Sequence, residues 1–287
     1  MNIREALVSG SAELKSGGIE SSSLDASLLL SHILNTTRAA LLAHGTDEIA
    51  DDALASFRAL VQRRLDGECT AYILGKKEFR GLDFLVNKSV LVPRPETETL
   101  VETAINLLNE KKVTVESVCV LDLCTGSGAI AVSIKNEMPQ AQVYAADICP
   151  QALETAKTNA ARLLRGSATI HFFQGDLFNA LPKKQFSLIA SNPPYIPTEE
   201  IKTLAAEVQN EPLIALDGGH TGLEIIERII EGAPEHLVKG GILLMETAGA
   251  KQTGKIVPLL EKKGFHDIKS YKDLSGAERV ISGVYEE

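Results

Sequence analysis

Nowhere do the 287 residues assemble the roughly 20 consecutive apolar positions that a membrane-spanning helix requires. The first residues, Met1-Asn2-Ile3-Arg4-Glu5-Ala6, also lack the charged start and apolar core of a secretory leader. These two absences lead us to expect a cytoplasmic protein with no membrane partner. Cysteine is scarce as well: Cys69, Cys119, Cys124 and Cys149 form no Cys-x-x-Cys pair and have no histidine at metal-ligand spacing. Free thiols in a reducing compartment are therefore expected, with neither disulfides nor a metal. Positive charge is in deficit, with 29 Lys and Arg against 38 Asp and Glu and a formal net charge of -9. Affinity for long nucleic acid comes largely from neutralising phosphates with Lys and Arg, so wrapping a duplex is disfavoured, although a local basic patch is not. Internal repeats and low-complexity segments are absent too.

What is present is an ordinary globular composition, 44% hydrophobic and 23% charged, enough to bury the core of one large domain and a smaller one. Over residues 1–71 apolar side chains recur at helical spacing, as in Leu28, Leu29, Ile33, Leu34 and then Ala53, Phe57, Leu60, Val61, Leu65. That predicts a small helical bundle. Ser21-Ser22-Ser23-Leu24-Asp25 offers cap residues before its second helix, and Gly17-Gly18 and His44-Gly45 mark helix ends. Over 72–92, short stretches around Phe79 and Phe84-Leu85-Val86 flank Gly81, predicting a two-stranded hairpin that links the domains, with Tyr72 and Phe79 as packing residues. Over 93–287, helices alternate with apolar runs at Ser117–Leu123, Gln142–Asp147, Ala168–Phe173, Phe186–Ser191 and Gly241–Glu246, the pattern of parallel strands covered on both faces. Two last runs, Asp267–Tyr271 and Arg279–Tyr285, have no helix between them and are expected to pair as an antiparallel edge. The predicted fold is α/β: a doubly wound, mostly parallel seven-stranded sheet preceded by a helical bundle and a linking β-hairpin.

The run Phe186–Ser191 ends in Asn192-Pro193-Pro194-Tyr195, which puts a polar amide, two rigid prolines and an aromatic at a strand's carboxyl end. Prolines cannot donate to a sheet ladder and push the preceding residue to extended geometry, so the carbonyls of Asn192 and Pro193 are left without ladder partners. Such a carbonyl beside the Asn192 side chain makes two fixed acceptors. They suit a planar NH2 group, with the Tyr195 ring offering a face for that group's plane. The expected target is an amide or aniline-like nitrogen.

From Val120 the chain runs out of a strand, through Cys124-Thr125-Gly126-Ser127-Gly128, into a helix, and glycines there let a ligand touch the backbone. Asp147 closes the next strand, 19 residues after Gly128, where a carboxylate accepts hydrogen bonds from ribose hydroxyls. Dinucleotide enzymes share this spacing, and a glycine turn before a helix can be merely structural, so the pattern alone leaves both open. Gly128 is followed by Ala129-Ile130-Ala131 and not by the third glycine of a pyrophosphate site, which favours a phosphate-free nucleoside. With Asp147 at the ribose, and Asp176-Leu177 after the third strand at the adenine, the expected cofactor is S-adenosylmethionine. Cys124 stands at the helix entrance, where a thiolate would be stabilised, yet no His or second Cys supports reactivity. A small side chain beneath a cofactor suffices as its role, and His171 reads as a satisfied core or surface histidine.

Together, Asn192–Tyr195, the glycine loop and Asp147 resemble the class I S-adenosylmethionine-dependent methyltransferases that modify conjugated nitrogen. Further motifs narrow the resemblance. They are Ala71-Tyr72-Ile73-Leu74-Gly75, the Phe79 hairpin, Val90-Leu91-Val92-Pro93-Arg94-Pro95-Glu96-Thr97-Glu98, and Glu211-Pro212 with Ala215-Leu216 and Gly218-Gly219. Gly249 with Gln252, and Asp273-Leu274-Ser275-Gly276 with Arg279-Val280, complete the set. In that order they resemble the release factor glutamine methyltransferases, the PrmC/HemK family, over nearly the whole chain and least in the bundle. The family usually has Gly where Cys124 stands, an aromatic where Leu177 stands, Pro where Cys69 stands and often Asp where Thr221 stands. None of these departures removes a group the chemistry needs, and Leu177 leaves less stacking for the adenine.

The resemblance implies methyl transfer to the glutamine side-chain amide in the Gly-Gly-Gln loop of class I peptide chain release factors. It implies catalytic roles for Asn192, Pro193 and Tyr195, the Asn192 side-chain oxygen and the Pro193 carbonyl accepting the two amide hydrogens. Cofactor contacts are expected from Cys124, Thr125, Gly126, Ser127, Gly128, Asp147, Ile148, Asp176, Leu177 and Asn192. Substrate contacts are expected from Asn192, Pro193, Pro194 and Tyr195, with Arg94 and Glu96 ordering the mouth of the site. The alternative for Arg94-Pro95-Glu96-Thr97 is a plain helix start with Glu96 and Glu98 at its positive end. The bundle and hairpin would help hold the release factor, and the chain is expected to act as a monomer without nucleic acid. One rival is a DNA adenine methyltransferase, since a flipped adenine also presents an amino group; net charge and the lack of a target-recognition domain count against it. The other is a nucleotide-binding regulator or oxidoreductase without methyl transfer, in which Asn192–Tyr195 merely ends a strand.

Overall fold

In the computed structural model, which describes residues 1–110, 118–166 and 168–286, the chain divides into two compact units. The first is Met1–Lys76 with Ala205–Asn210, and the second is Lys77–Leu204 with Glu211–Glu287. The first unit contains the helices α1 (Ile3–Ser16), α2 (Ser22–Ile33), α3 (Arg38–Ala43), α4 (Asp51–Leu65) and α5 (Thr70–Leu74). A capping box starts α1: the Asn2 side chain accepts the Glu5 N–H at 2.9 Å and the Glu5 carboxylate accepts the Asn2 N–H at 3.0 Å. Leu14, Leu29, Leu30, Leu41 and Phe57 form its buried centre. Tyr72 lies buried in α5, not on the hairpin where the periodicity had put it, because the helical turn continues to a left-handed Gly75 cap. Arg64 is buried and paired with Asp25 at 2.9 Å and with Glu207. A buried guanidinium needs such partners, which gives the segment Ala205–Asn210 its reason to belong to this unit.

The hairpin β1 (Lys76–Phe79) and β2 (Leu82–Leu85) follows, and all of it but Lys76 belongs to the second unit. Its two-residue turn, Arg80-Gly81, has φ of 50° and 73°, the doubly positive geometry whose twist matches that of the flanking strands. The sheet strands are β3 (Cys119–Leu123), β4 (Gln142–Asp147), β5 (Ile170–Gln174), β6 (Phe186–Ser191), β7 (Leu237–Glu246), β8 (Phe265–Lys272) and β9 (Glu278–Tyr285), in the order β5-β4-β3-β6-β7-β9-β8. The expected strand start at Ser117 lies outside the described residues. From β5 to β7 all neighbours are parallel, and β9 runs antiparallel to both β7 and β8. The mostly parallel seven-stranded sheet stands as expected. The last two strands pair antiparallel, but β9 slots between β7 and β8, so β8 alone forms that edge.

Side chains alternate between two cores, as a period of two requires. Val120, Val143, Leu188 and Leu244 face α6 (Pro95–Glu110) and α7 (Ala129–Glu137), while Leu121, Tyr144, Ile189 and Leu243 face α11 (Glu224–His236) and α12 (Ala250–Lys262), the short α9 (Thr198–Ile201) and α10 (Ala206–Gln209) coming between β6 and α11 in the chain. The register sets Leu123 opposite both Ala146 and Ser191, and Ser191 opposite Met245, so the carboxyl ends of β3, β4, β6 and β7 finish level. From β3 the strand order proceeds outward in opposite directions through β4 and β6. Such a switch point opens a crevice beyond the strand ends, where open α/β sheets hold their ligands.

Candidate active site

In that crevice lies a cavity of about 590 Å³. Of the residues assigned to the cofactor, Cys124, Thr125, Gly126, Ser127, Asp147, Ile148, Asp176, Leu177 and Asn192 line it, and Gly128 does not. Of those assigned to substrate, Asn192, Pro194 and Arg94 line it, while Pro193, Tyr195 and Glu96 are not among its lining residues. Thr97, Leu213 and Ile214, which the sequence reading left out, line it too.

The glycine loop after β3 is left-handed at Cys124 (φ 60°), Gly126 (φ 54°) and Gly128 (φ 82°). A Cβ on Gly126 would meet no atom within 4 Å, so its backbone faces open cavity. Gly128 has a different reason: a Cβ there would stand 3.1 Å from the Ala156 Cβ, where α8 (Pro150–Leu163) packs on the start of α7. Helix packing and the positive φ both call for glycine at this position. Cys124 and Leu177 (φ 52°) hold left-handed conformations without being glycine, a strain of about 1–2 kcal/mol each that collects at this cavity.

Two carboxylates brace the loop. Asp122, fully buried on β3, accepts the Thr125 hydroxyl at 2.6 Å and the Ala131 N–H at 3.1 Å through Oδ2, while Oδ1 has no partner among the described residues. Desolvation pushes its carboxyl up to about 7 against the pull of those two bonds. Asp147 accepts the Gly126 N–H at 2.8 Å and the Cys149 N–H at 2.9 Å, one on each oxygen, and its burial also raises its pKa. The Ile148 N–H also acts on this carboxylate, which with roughly four lone-pair sites still keeps acceptor capacity. Desolvation, and then the charge of Asp147, pushes the Cys124 thiol up to about 12, so it is no thiolate. Both cations that line the cavity are committed. Arg228 donates to Asp176 at 2.6 Å, and Arg94 donates to the buried Glu211, whose other oxygen accepts the Val92 N–H at 2.9 Å.

Asn192 follows β6 and donates from Nδ2 to the Thr97 hydroxyl oxygen at 3.2 Å. Thr97, in the first turn of α6, donates in turn to Glu246 Oε2 at 2.6 Å, and the Tyr195 hydroxyl donates to Glu246 Oε1 at 3.3 Å. Glu246 closes β7 and is buried, and desolvation carries its carboxyl up to about 7 against the hydrogen bonds from Thr97 and Tyr195. Burial raises the Tyr195 phenol as well. The motif's backbone is clamped: Gln252 Nε2 donates to the carbonyls of Tyr195 and Gly222, each at 3.0 Å, while its Oε1 accepts the Ala248 N–H at 2.8 Å. Gly218 and Gly222 are glycine because a Cβ would fall 2.8 Å from Tyr195 Cα and 2.5 Å from the Tyr195 carbonyl oxygen, respectively. Glu96 stands one residue before Thr97, where its charge acts on Glu246.

Sequence reasoning missed Thr97 and Glu246, and gave Gln252 and Glu211 no role. For Glu246 a signal existed: an acidic residue ending the apolar run Ile242–Met245 sits at the carboxyl end of a buried strand, where sites form.

A family model described as the PrmC N-terminal domain matches residues 5–75, and one described as the methyltransferase small domain matches residues 98–211. A release factor glutamine methyltransferase of Bordetella pertussis is 42% identical, covering 91% of this chain and 94% of its own length. Another, of Geobacter sulfurreducens, is 39% identical, covering 98% of this chain and 96% of its own. Among solved structures, a methyltransferase from Pyrococcus furiosus matches with a TM-score of 0.53 at 19% identity, covering 79% of this chain and 98% of that one, a likeness of fold. With identity of this extent along nearly the full length, the chain belongs to the release factor glutamine methyltransferase family.

Proposed function

We propose that this protein transfers a methyl group from S-adenosylmethionine to the side-chain amide nitrogen of the glutamine in the Gly-Gly-Gln loop of class I peptide chain release factors. The observation that carries the reading is the position of Asn192, on the wall of a nucleoside-sized cavity and held at Nδ2 by Thr97. The cavity suits S-adenosylmethionine better than a phosphate-bearing dinucleotide. Gly126 leaves its backbone open, Asp147 offers spare lone pairs for ribose hydroxyls, and the two lining guanidiniums are already spoken for by Glu211 and Asp176. The contacts proposed for the cofactor are those of Cys124 to Ser127, Asp147, Ile148, Asp176, Leu177 and Asn192.

Bound there, S-adenosylmethionine supplies an electrophilic methyl group whose sulfur departs with the C–S electron pair. The protein's task is the nucleophile, since an amide lone pair is delocalised into its carbonyl. Asn192 Oδ1 and the Pro193 carbonyl accept the two N–H bonds, orient the nitrogen and favour its pyramidal form. Both bonds strengthen as positive charge grows on nitrogen, which makes them transition-state interactions. Tyr195, anchored through its hydroxyl and its carbonyl, keeps the neighbouring wall in place. Alignment contributes through entropy, up to roughly 7–11 kcal/mol in well-oriented reactions. The N-methylated nitrogen then sheds its extra proton without a strong base.

Arg94, fixed by Glu211, and Glu96 order the mouth, and the helical unit holds the release factor. No helix of the described residues is long and apolar enough to cross a membrane, and we place the protein in the cytoplasm as a monomer that needs no nucleic acid. Incubation with labelled S-adenosylmethionine and either release factor or plasmid DNA tests the reading. Label is expected in the protein; label in DNA alone, or calorimetry showing NAD bound and S-adenosylmethionine ignored, overturns it.

A further inference from the structure

We infer that Thr97 and Glu246 are positioning residues that set which way round the Asn192 amide faces, so that Oδ1 and not Nδ2 is offered to the substrate. This rests on a carboxamide NH2 as the methyl acceptor. A threonine hydroxyl has one proton to give. Here that proton goes to Glu246 over a short 2.6 Å contact between two buried residues, so the Thr97 oxygen meets Asn192 as an acceptor at 3.2 Å. Only Nδ2 can donate to it; the flipped amide would set two oxygens against each other. Oδ1 has no protein donor among the described residues, and Asn192 lines the cavity. A flipped Asn192 would present N–H groups to the substrate's own N–H bonds, and the site would repel the nitrogen it must hold.

The same carboxylate holds Tyr195 through its other oxygen, so one anion anchors both side chains of the motif. The proton order reverses when Glu246 is protonated. The acid can then donate to Thr97, the threonine proton is freed, and it can reach Asn192 Oδ1 and invert the amide. Around Glu246 the polar and charged groups are Thr97 and Glu96 from α6, Tyr195 from beyond β6 and Arg279 from β9. Glu96 favours the proton and Arg279 the anion, and burial dominates both, placing the carboxyl near neutrality at about 7.

The test compares Thr97→Val, which keeps the shape and loses the hydroxyl, with Thr97→Ser, which keeps the hydroxyl. In the full-length protein acting on intact release factor, Thr97→Val is expected to lower kcat on the order of ten- to a hundredfold while S-adenosylmethionine binds as before by calorimetry. Thr97→Ser is expected to restore most of the turnover. The parent and Thr97→Ser should lose kcat as pH falls below about 7 in a single-proton step, and Thr97→Val should lack that limb. Parental kcat in Thr97→Val, or equal losses in the two variants, overturns the inference while leaving methylation by the parent intact. Should Thr97→Val fail to fold, Glu246→Gln decides, since its carboxamide has no such proton to lose: disappearance of the parent's acid limb supports the inference, and an acid limb like the parent's, which Asp122 could also give, refutes it. A parent that does not methylate release factor at all defeats the underlying reading instead.

Discussion

Replacing Gly218 by alanine asks how closely the Pro194–Tyr195 backbone must be held for turnover. A Cβ at residue 218 would lie 2.8 Å from both the Pro194 carbonyl oxygen and Tyr195 Cα. Non-bonded carbons rest about 3.5 Å apart, so the motif must retreat by roughly 0.7 Å, the difference between those distances. Neither side can yield through a rotamer, since both are backbone, and the Gly218 N–H is itself bonded to the Ile196 carbonyl at 2.9 Å. Overpacking of this kind destabilises by about 1–3 kcal/mol. A displacement of about 1 Å at a reacting group can lower a rate on the order of a hundredfold, so kcat should fall roughly ten- to a hundredfold. Affinity for S-adenosylmethionine should hold, because Gly218 does not line the cavity. Gly254→Ala is the control. It lies in α12 with no atom within 4 Å of its would-be Cβ, and alanine there should stabilise by about 0.5–1 kcal/mol without touching turnover. Single-turnover methylation of release factor, calorimetry and urea melts read the three quantities. Parental kcat in a Gly218→Ala protein that is measurably less stable would refute the claim that the motif's backbone position limits the rate.

Asn192→Ala removes one of the two acceptors and should cut kcat on the order of a hundredfold while S-adenosylmethionine affinity stays within an order of magnitude; equal turnover would remove Asn192 from the mechanism. Asp147→Ala releases the Gly126 and Cys149 N–H groups along with the proposed ribose acceptors, so calorimetry should show at least roughly tenfold weaker cofactor binding. Unchanged affinity would mean that Asp147 only packs. Asp122 holds a proton in the folded state that the unfolded chain releases from near its ordinary 3.8, its folded pKa being about 7. Its contribution is full below about pH 4 and is lost as pH rises through about 7, on the order of 4 kcal/mol in all. Asp122→Asn keeps an oxygen for Thr125 and Ala131, so its urea midpoint should fall less between pH 5 and pH 8 than the parent's. Parallel profiles would show that Asp122 titrates normally.

The strand–turn–helix at Cys124–Gly128, the carboxylate of Asp147 and the Asn192–Tyr195 corner were legible because each is a local pattern whose chemistry follows from consecutive residues. What surrounds them was not. Glu246 meets Thr97 across 149 positions of sequence, a contact that exists only because β6 pairs with β7 and α6 packs over both. Gly128 read as a ligand glycine, yet its neighbour is Ala156, one helix further along the chain. The order of the final strands depends on which partner wins β9, something that period-two alternation does not encode. Ala205–Asn210 looks like loop until the buried Arg64 claims Glu207. Tyr72 had the composition of a hairpin residue, and only the completed turn of α5 removes it from the strand.

Mass spectrometry of the Gly-Gly-Gln peptide, after release factor has been incubated with this protein and S-adenosylmethionine, addresses the chemistry itself. The expected spectrum carries the mass of one added methyl group, with fragment ions assigning it to the glutamine side-chain nitrogen. An unmodified glutamine under conditions in which calorimetry shows the cofactor bound would contradict the proposal that Asn192 and Pro193 hold a protein carboxamide for methylation.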